Sequence, residues 1–392
     1  MSSHPRLAGV LVTAALTVLL PVLRATSQSG DPQTRDARSS ARFSAGWNEI
    51  PNTKLRSVSP PNRPWYSYQH FFPYMILAWS SAAYDSRRHQ LWVFGGGHSD
   101  YYGNESYRFD VATLTWSRID DPTDLTLLGG LEAGSLPHCL DAWPDGKPSS
   151  RHTYDHLEYL PSVDKYFMYG GSRGCGGGAF GQDTWLQDPV TGHWTQMQKG
   201  FDHQPQPQPP EYGKTPGRTI NAMAVHPDGS LYAMSPYGLR RYDPVANVWS
   251  VASERYNLGN TRRRAVIGMG GSRFIAIGAE PNEPPTIRWF NLKSGTRTPL
   301  QTVVPQSLSS VLSKKAPGFD IDPRTGKGVA WAGGDEVLLI DLESFQMETR
   351  VIPGGPAAVS AGTFGRFRYS PLLGGFLVVS SVDENVRLLK LQ

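Results

Sequence analysis

The chain has 392 residues and a formal net charge of only +4, which is too small for a general nucleic-acid binder. Glycine (41) and proline (32) are abundant, charged residues make up only 18%, and 11 tryptophans with 17 tyrosines favour strands over helices. We therefore expect an all-β protein that does not bind nucleic acid, in which positive charge acts only where it is locally clustered.

The first 27 residues have the parts of a secretory signal. Arg6 lies in a short basic start, an apolar run extends from Leu7 to Leu23, and small residues follow at a cleavage position. The alternative is an uncleaved membrane anchor, but Pro21 and Arg24 interrupt a run that is already short for a bilayer span. We predict a secreted or periplasmic protein with no membrane association after cleavage.

The stretch from Leu91 to Asp110 sets the pattern for the rest of the chain. An apolar strand ends in Gly95-Gly96-Gly97, polar residues follow, and a second strand begins near Tyr107. Consecutive glycines at a strand end allow a sharp bend, because glycine enters the positive-φ regions without steric cost. This unit resembles a kelch-type propeller blade with His98 on the loop between its second and third strands.

The same unit recurs along the chain. An apolar residue, a turn and a second apolar run begin at Tyr84, Tyr159, Val225, Ile321 and Tyr369, and a degenerate copy extends from Ala265 to Ile277. Each copy is followed by a third-strand pattern, so we predict six four-stranded blades. Residues 28–42 are predicted to be a disordered spacer, and residues 43–392 one β-propeller domain.

The sequence also predicts how the ring closes. The last blade has no fourth strand of its own, and Trp47-Asn-Glu-Ile near the mature amino terminus supplies a strand of the missing type. Blade 4 has a weak fourth strand at Thr296-Arg-Thr. A seventh blade within residues 120–150 is the alternative, but prolines and paired glycines break that stretch.

Two cysteines are present, at positions 139 and 175. In an exported protein they predict one disulfide that pins a long loop over the ring. A metal site that includes His138 is the alternative, although no short metal-ligand spacing is present.

Loops from different blades should converge on one face of the ring. Those loops carry histidine, tyrosine and many basic residues, which predicts a surface suited to an anionic ligand. The candidate residues are His98, Tyr101, Tyr102, Asn104, Arg151, His152, Arg173, Arg218, Tyr237, Arg262, Arg263, Arg264, Lys314 and Lys315.

Three segments carry a resemblance to a known family. They are Gly96-Gly97-His98-Ser-Asp-Tyr101-Tyr102-Gly103-Asn104, Ser150-Arg151-His152-Thr153-Tyr154 and Gly365-Arg366-Phe-Arg368-Tyr369-Ser-Pro. Together they are similar to the propeller-type ulvan lyases and their kelch-like relatives. The resemblance implies β-elimination on a uronic-acid polysaccharide, without a redox cofactor.

By that resemblance, His98, His152 and Tyr237 are the proton-transfer candidates and Arg218 the residue that counters the uronate charge. Substrate-binding candidates are Tyr101, Tyr102, Asn104, Arg151, Arg173 and Arg264. We expect the protein to be a monomer that binds an anionic polysaccharide. We expect no cofactor, and a structural metal ion is left open. Alternatives are a non-catalytic glycan-binding propeller, a sugar mutarotase, or a copper radical oxidase that would use Cys175.

Overall fold

The computed structural model describes residues 42–131, 136–199, 214–217, 220, 222–253, 263–279, 284–294, 300–308, 310–314 and 316–391. The predicted signal peptide, nearly all of the predicted spacer and Arg218 lie outside these residues. Within the described residues, six antiparallel sheets follow one another as the blades of a propeller, as the sequence predicts.

The first three blades follow in chain order, and their strands are hydrogen-bonded to their sequence neighbours except in blade 2, where β6 and β7 both pair with β8. Blade 1 contains β2 (Ser81–Asp85), β3 (Gln90–Phe94), β4 (Tyr107–Asp110) and β5 (Thr115–Arg118). Blade 2 contains β6 (Arg151–His152), β7 (Leu157–Leu160), β8 (Lys165–Arg173), β9 (Phe180–Gln187) and β10 (Trp194–Gln198). Blade 3 contains β11 (Ala222–Val225), β12 (Leu231–Ser235), β13 (Gly238–Asp243) and β14 (Val248–Val251).

The remaining blades repeat this order, and the last one recruits the amino-terminal strand. Blade 4 contains β15 (Arg263–Ile267), β16 (Arg273–Gly278), β17 (Thr286–Asn291) and β18 (Leu300–Val303). Blade 5 contains β19 (Gly318–Asp322), β20 (Lys327–Trp331), β21 (Glu336–Ile340) and β22 (Met347–Val351). Blade 6 contains β23 (Phe367–Ser370), β24 (Gly375–Val378), β25 (Arg387–Lys390) and β1 (Gly46–Glu49).

Helical turns are short and lie between strands. The described α-helices are α1 (Tyr68–Phe71) and α2 (Tyr74–Leu77). The 3-10 turns are Leu55–Val58, Leu125–Leu128, Met269–Gly271, Gln306–Leu308 and Phe364–Arg366. None of the helices in the described ranges is long and apolar enough to cross a bilayer.

Two details of the blades differ from the sequence prediction. The inner strand of blade 2 is in two pieces, since both β6 and β7 pair with β8 and Tyr154 between them has φ +43°. A left-handed residue interrupts the strand ladder and turns the chain. The fourth strand of blade 4 is Leu300–Val303, whereas Thr296 lies outside the described residues.

The closure of the ring follows the prediction. β1 pairs antiparallel with β25, with Trp47 opposite Leu389. The Trp47 ring also lies 5.4 Å from the Trp331 ring of blade 5. Closure removes the exposed sheet edge that blade 6 would otherwise present.

Aromatic side chains fill the spaces between neighbouring blades. The Trp92 ring of blade 1 stacks on Tyr166 of blade 2 at 4.6 Å, and Phe167 contacts Tyr242 of blade 3 at 5.3 Å. All five residues of β3 are buried, because each blade packs against a neighbour on both of its faces. The blades therefore form a rigid frame that fixes the ends of their strands.

Candidate functional site

His98 and His152 lie together at one face of the ring. The centroids of the two imidazole rings are 5.6 Å apart, and the ring planes are inclined by 18°. His98 follows the glycine run after β3, and its N–H donates to the carbonyl of Arg173 at 2.9 Å. His152 ends β6, so blades 1 and 2 each contribute one histidine. The predicted proximity of the two histidines is present in the structure.

Glycine is required at two positions for this approach. A Cβ on Gly97 would lie 2.2 Å from the Cα of Arg151, and Gly97 has φ +81°. A Cβ on Gly178, which has φ +63°, would lie 2.2 Å from the Cδ2 of His98. The first glycine lets the two blades touch, and the second leaves space for the His98 ring.

Two buried arginines hold the backbone around the histidines. The Arg151 guanidinium forms an ion pair with Asp183 at 2.8 Å, and Arg173 pairs with Asp141. Both arginine side chains are completely buried. They were predicted to bind substrate, but the structure places them inside blade 2, where they position β6 and the loop before it.

His152 is the best-supported side chain of the site. Its Nε2 lies 2.7 Å from Oδ2 of Asp100, and its ring lies 4.9 Å from the Trp79 ring. Burial lowers the pKa of His152, while the Asp100 carboxylate acts in the opposite direction. A neutral imidazole that donates Nε2–H to Asp100 keeps Nδ1 as a basic nitrogen.

Tyr154 stands next to this pair. Its ring lies 5.9 Å from the His152 ring in an edge-on arrangement, and its N–H donates to the carbonyl of Trp79 at 2.6 Å. Burial raises the pKa of Tyr154 well above its ordinary value. The hydroxyl therefore keeps its proton at neutral pH, and it can pass that proton only to a strongly basic group such as a departing alkoxide.

Five of the eleven non-glycine residues with left-handed backbone in the described ranges lie at this face. They are Trp79, His98, Tyr154, Ala316 and Phe364, with φ between +38° and +51°. Four of them precede an inner strand of their blade, so that conformation belongs partly to the repeat, but His98 does not. Each such residue costs on the order of 1–3 kcal/mol and persists only where the surroundings impose it.

A pocket of about 350 Å³ opens beside Asp100 and Trp79, which both contact His152, whereas neither histidine nor Tyr154 is part of its wall. Its wall includes Tyr74, Trp79, Asp100 and Ser360, so it connects the aromatic surface of α2 with the Asp100–His152 pair. Trp79 is 36% exposed and Tyr74 is 40% exposed. Exposed aromatic rings next to a polar pair are suited to a ligand with both apolar and hydroxyl-bearing faces.

Three residues predicted to bind substrate are interior instead. Tyr101 is fully buried and donates to Glu105 at 2.5 Å, and Tyr102 is 2% exposed. Asn104 donates to Thr123 at 2.8 Å and to a backbone carbonyl at 2.9 Å. Tyr101 and Asn104 brace the loop that carries His98, because Tyr101 bonds Glu105 of the same loop and Asn104 bonds the segment between β5 and β6.

The other predicted residues are distributed around the ring. Tyr237 is half-buried at the turn between β12 and β13, and a Cβ on Gly217 would lie 2.4 Å from its ring. Arg264 is 1% exposed and lines the central channel, where it pairs with Asp155 and Glu158. Arg218 lies outside the described residues, so its role stays a prediction.

Cys139 and Cys175 form a disulfide, as the sequence predicts. The bond ties the loop before β6 to the turn after β8, and Arg173 donates to the carbonyl of Cys139 at 3.3 Å. The metal alternative finds no support in the described ranges, where no three His, Cys, Asp or Glu side chains are placed to share an ion. With Cys175 bonded to Cys139, the tyrosine crosslink of the oxidase alternative is not formed.

Sequence reasoning did not select Asp100, Trp79 or Tyr154 as site residues. Asp100 could have been selected from the sequence, because it lies two residues after His98. In the structure its N–H donates to the carbonyl of Gly97 at 3.0 Å. Trp79 gave no local signal, because it comes before β2 and reaches His152 only when blades 1 and 2 pack together.

Comparison with known proteins supports the fold. No protein family and no curated protein matches this sequence. A structural genomics protein of unknown function from Bacteroides thetaiotaomicron shares 10% identity and a TM-score of 0.50, over 88% of this chain and 75% of that one. YjhT shares 12% identity and a TM-score of 0.48, over 81% of this chain and 93% of that one.

An auxiliary nutrient binding protein from Bacteroides thetaiotaomicron shares 11% identity and a TM-score of 0.45, over 79% of this chain and 68% of that one. Similarity at this level of identity concerns the fold alone, because propellers host many unrelated functions. The chain is thus a six-bladed β-propeller.

Proposed function

We propose that this chain is an exported polysaccharide lyase that cleaves a uronic-acid polysaccharide by β-elimination. One observation carries the proposal, namely a histidine bonded to Asp100 and lying beside Tyr154, with Asp100 itself in the wall of an aromatic pocket. A base and a proton donor close to each other are the two groups that an elimination requires.

Each residue has a distinct part in this mechanism. His152 removes the C5 proton of the uronate, and Asp100 stabilises the imidazolium that results. The electron pair forms the C4–C5 double bond, the C4–O4 bond breaks, and Tyr154 donates its proton to the departing O4. His98, whose ring lies parallel to His152, disfavours a second positive charge and so helps to keep His152 neutral.

The substrate carboxylate also needs a counter-charge, because the C5 proton becomes acidic only when that charge is neutralised. The arginines of the described residues nearest the histidines, Arg151 and Arg173, are buried in ion pairs. The sequence prediction assigns this role to Arg218. Its replacement by alanine should reduce activity on the acidic polymer but not on its methyl ester, and equal losses on both would remove the role.

The proposal is tested with purified protein and a panel of uronic-acid polysaccharides, by following the ultraviolet absorbance of unsaturated ends. His152→Ala should lower the rate by roughly 10²–10⁴-fold, the usual contribution of a general base. His193→Ala is the matched control, because His193 is exposed at the turn before β10. No absorbance from the wild type on any polymer would exclude lyase activity.

A non-catalytic glycan-binding propeller is the second candidate, favoured by the exposed rings of Trp79 and Tyr74 in the pocket. Trp79→Ala should abolish polysaccharide binding under either candidate. His152→Ala separates the two candidates. A lyase would form less unsaturated product in this variant and still bind the polysaccharide, whereas a binding module forms no product either with or without His152.

A further inference from the structure

A second pocket, of about 680 Å³, lies on the opposite face of the ring. That face carries the turns between the first and second strands of the blades, and we call it the hairpin face. The pocket is the mouth of the central channel, because the first strand of every blade contributes to its wall. Those strands are β2, β7, β11, β15, β19 and β23. Its volume suits a small organic molecule.

Five charged residues form a layer at the floor of this pocket. The charged layer consists of Asp155, Glu158, Arg264, Asp320 and Arg368. Oε1 of Glu158 accepts hydrogen bonds from Arg264 at 3.1 Å and from Arg368 at 2.9 Å. Oδ2 of Asp155 accepts from Arg264 at 3.1 Å and from the N–H of Met223 at 3.0 Å. The charged layer thus joins blades 2, 3, 4 and 6, and Asp320 adds blade 5 by accepting from the N–H of Tyr369.

The charged layer contains three carboxyl groups but only two guanidinium groups. An excess negative charge in a buried position is costly, so it either attracts a proton or requires a cation. Burial raises the pKa of Asp155 to about 7, although Arg264, Arg368 and the N–H of Met223 act against this shift. Glu158 and Asp320 face the same cluster, and burial raises the pKa of Asp320 as well. Asp155 therefore takes up a proton as the pH falls through about 7.

Two carboxylate groups are open to the pocket. Glu158 is 6% exposed and lines the pocket, and its Oε2 makes no hydrogen bond within the described part of the chain. Asp320 is half-buried and also lines the pocket, and Oδ1 and Oδ2 each accept one backbone N–H. Oε2 of Glu158 is thus an unused acceptor in a site that carries excess negative charge.

The walls above the charged layer combine aromatic and apolar residues with the polar side chains of Ser86, Ser162, His226 and Asp228. Three tyrosines on the first strands line them, together with a proline in the turn of four blades. These residues are Tyr84, Tyr159, Tyr369, Pro161, Pro227, Pro323 and Pro371. Tyrosine rings attract organic cations, and proline rings offer apolar contact area.

We propose that this pocket binds a small organic cation, whose ammonium group lies beside Oε2 of Glu158 and the carboxylate of Asp320. The apolar part of the ligand lies against the tyrosine and proline rings. These rings add apolar contact area that an alkylammonium gains and an inorganic ion does not. This site is independent of the histidine pocket on the other face.

Calorimetric titration with n-butylammonium chloride tests the proposal, with n-butanol as the uncharged analogue and sodium chloride as the inorganic control. Butylammonium should bind, and the two controls should not. Below neutral pH, binding should release about one proton, because the cation displaces the proton of the charged layer, and the release should fall toward zero above pH 8. Titrations in two buffers of different ionisation enthalpy measure this release.

A pair of variants locates the site. Glu158→Gln should weaken butylammonium binding about tenfold or more, whereas Glu348→Gln, on the exposed strand β22, should not change it. Thermal unfolding of each variant shows whether it is folded. Equal binding of butylammonium and butanol, no binding of either, or binding below neutral pH without proton release by the wild type would each overturn the proposal.

Discussion

The imidazole of His152 is the group on which the proposed chemistry depends, and its neighbours act on its basicity in opposite directions. Burial lowers its pKa, and the carboxylate of Asp100 at 2.7 Å raises it. Burial dominates, so His152 is neutral at neutral pH and can accept a proton. Because only the neutral form is a base, activity should rise with pH through a pKa below the ordinary histidine value and then level off.

Asp100→Asn tests the role of the carboxylate. Loss of its negative charge removes a contribution that raises the His152 pKa, so the acidic limb of the pH–rate profile should move to lower pH. The plateau rate should fall as well, since asparagine can donate to Nε2 and favour the wrong tautomer. An unchanged limb and plateau in a folded variant would mean that Asp100 does not act on the base.

A glycine pair tests the placement of His98. Gly177 and Gly178 both have positive φ, but a Cβ on Gly178 would lie 2.2 Å from Cδ2 of His98, whereas a Cβ on Gly177 meets nothing within 4 Å. Gly178→Ala should therefore displace the His98 ring and lower the lyase rate. Gly177→Ala carries a similar backbone penalty without the steric conflict and serves as the control. Equal rates in the two variants would show that the position of His98 is unimportant.

At the scale of elements, the sequence predicted the blades well because each repeat carries its own local signals. The glycines after β3 and the turn residues of each hairpin act within a few residues of where they stand in the chain. The arginines were harder to place. Arg151 pairs with Asp183, 32 residues further along the chain. No local pattern in the sequence shows that this charge is compensated inside blade 2. Trp79 and Asp100 were missed for the same reason, since they reach His152 across a blade boundary.

The disulfide covalently links the loop before β6 to the turn after β8. It closes a loop with a sequence separation of 36 residues, and loop-closure entropy of that size corresponds to about 3–4 kcal/mol. The double variant Cys139→Ala and Cys175→Ala should unfold at a lower temperature in a calorimetric scan. A reductant should lower the midpoint of the wild type but not that of the double variant. Identical midpoints for all samples would contradict a stabilising tie.

At the scale of the whole molecule, stability depends on closing the ring. β1 supplies the fourth strand of blade 6, and Trp47 packs on Trp331 of blade 5. Without β1, β25 becomes an open sheet edge and Leu389 loses its partner strand. The two pockets lie on opposite faces of this closed ring, so both depend on the same frame.

Truncation tests the closure. A chain that begins at Pro51 lacks β1 and should show a lower unfolding midpoint and more light scattering than a chain that begins at Arg42, which keeps it. Both chains lack the predicted signal peptide, so the comparison isolates the strand. Equal midpoints and equal scattering would show that blade 6 is stable with three strands.

The most direct test of the account is the mass of the cleavage products formed in heavy-oxygen water. β-Elimination breaks the C4–O4 bond without adding water, so the product masses should sum to the mass of the parent oligosaccharide, with no heavy oxygen incorporated. His152→Ala should form neither product at a measurable rate. Products that carry one heavy oxygen per cleavage, or no cleavage of any uronic-acid polymer by the wild type, would contradict the proposed elimination.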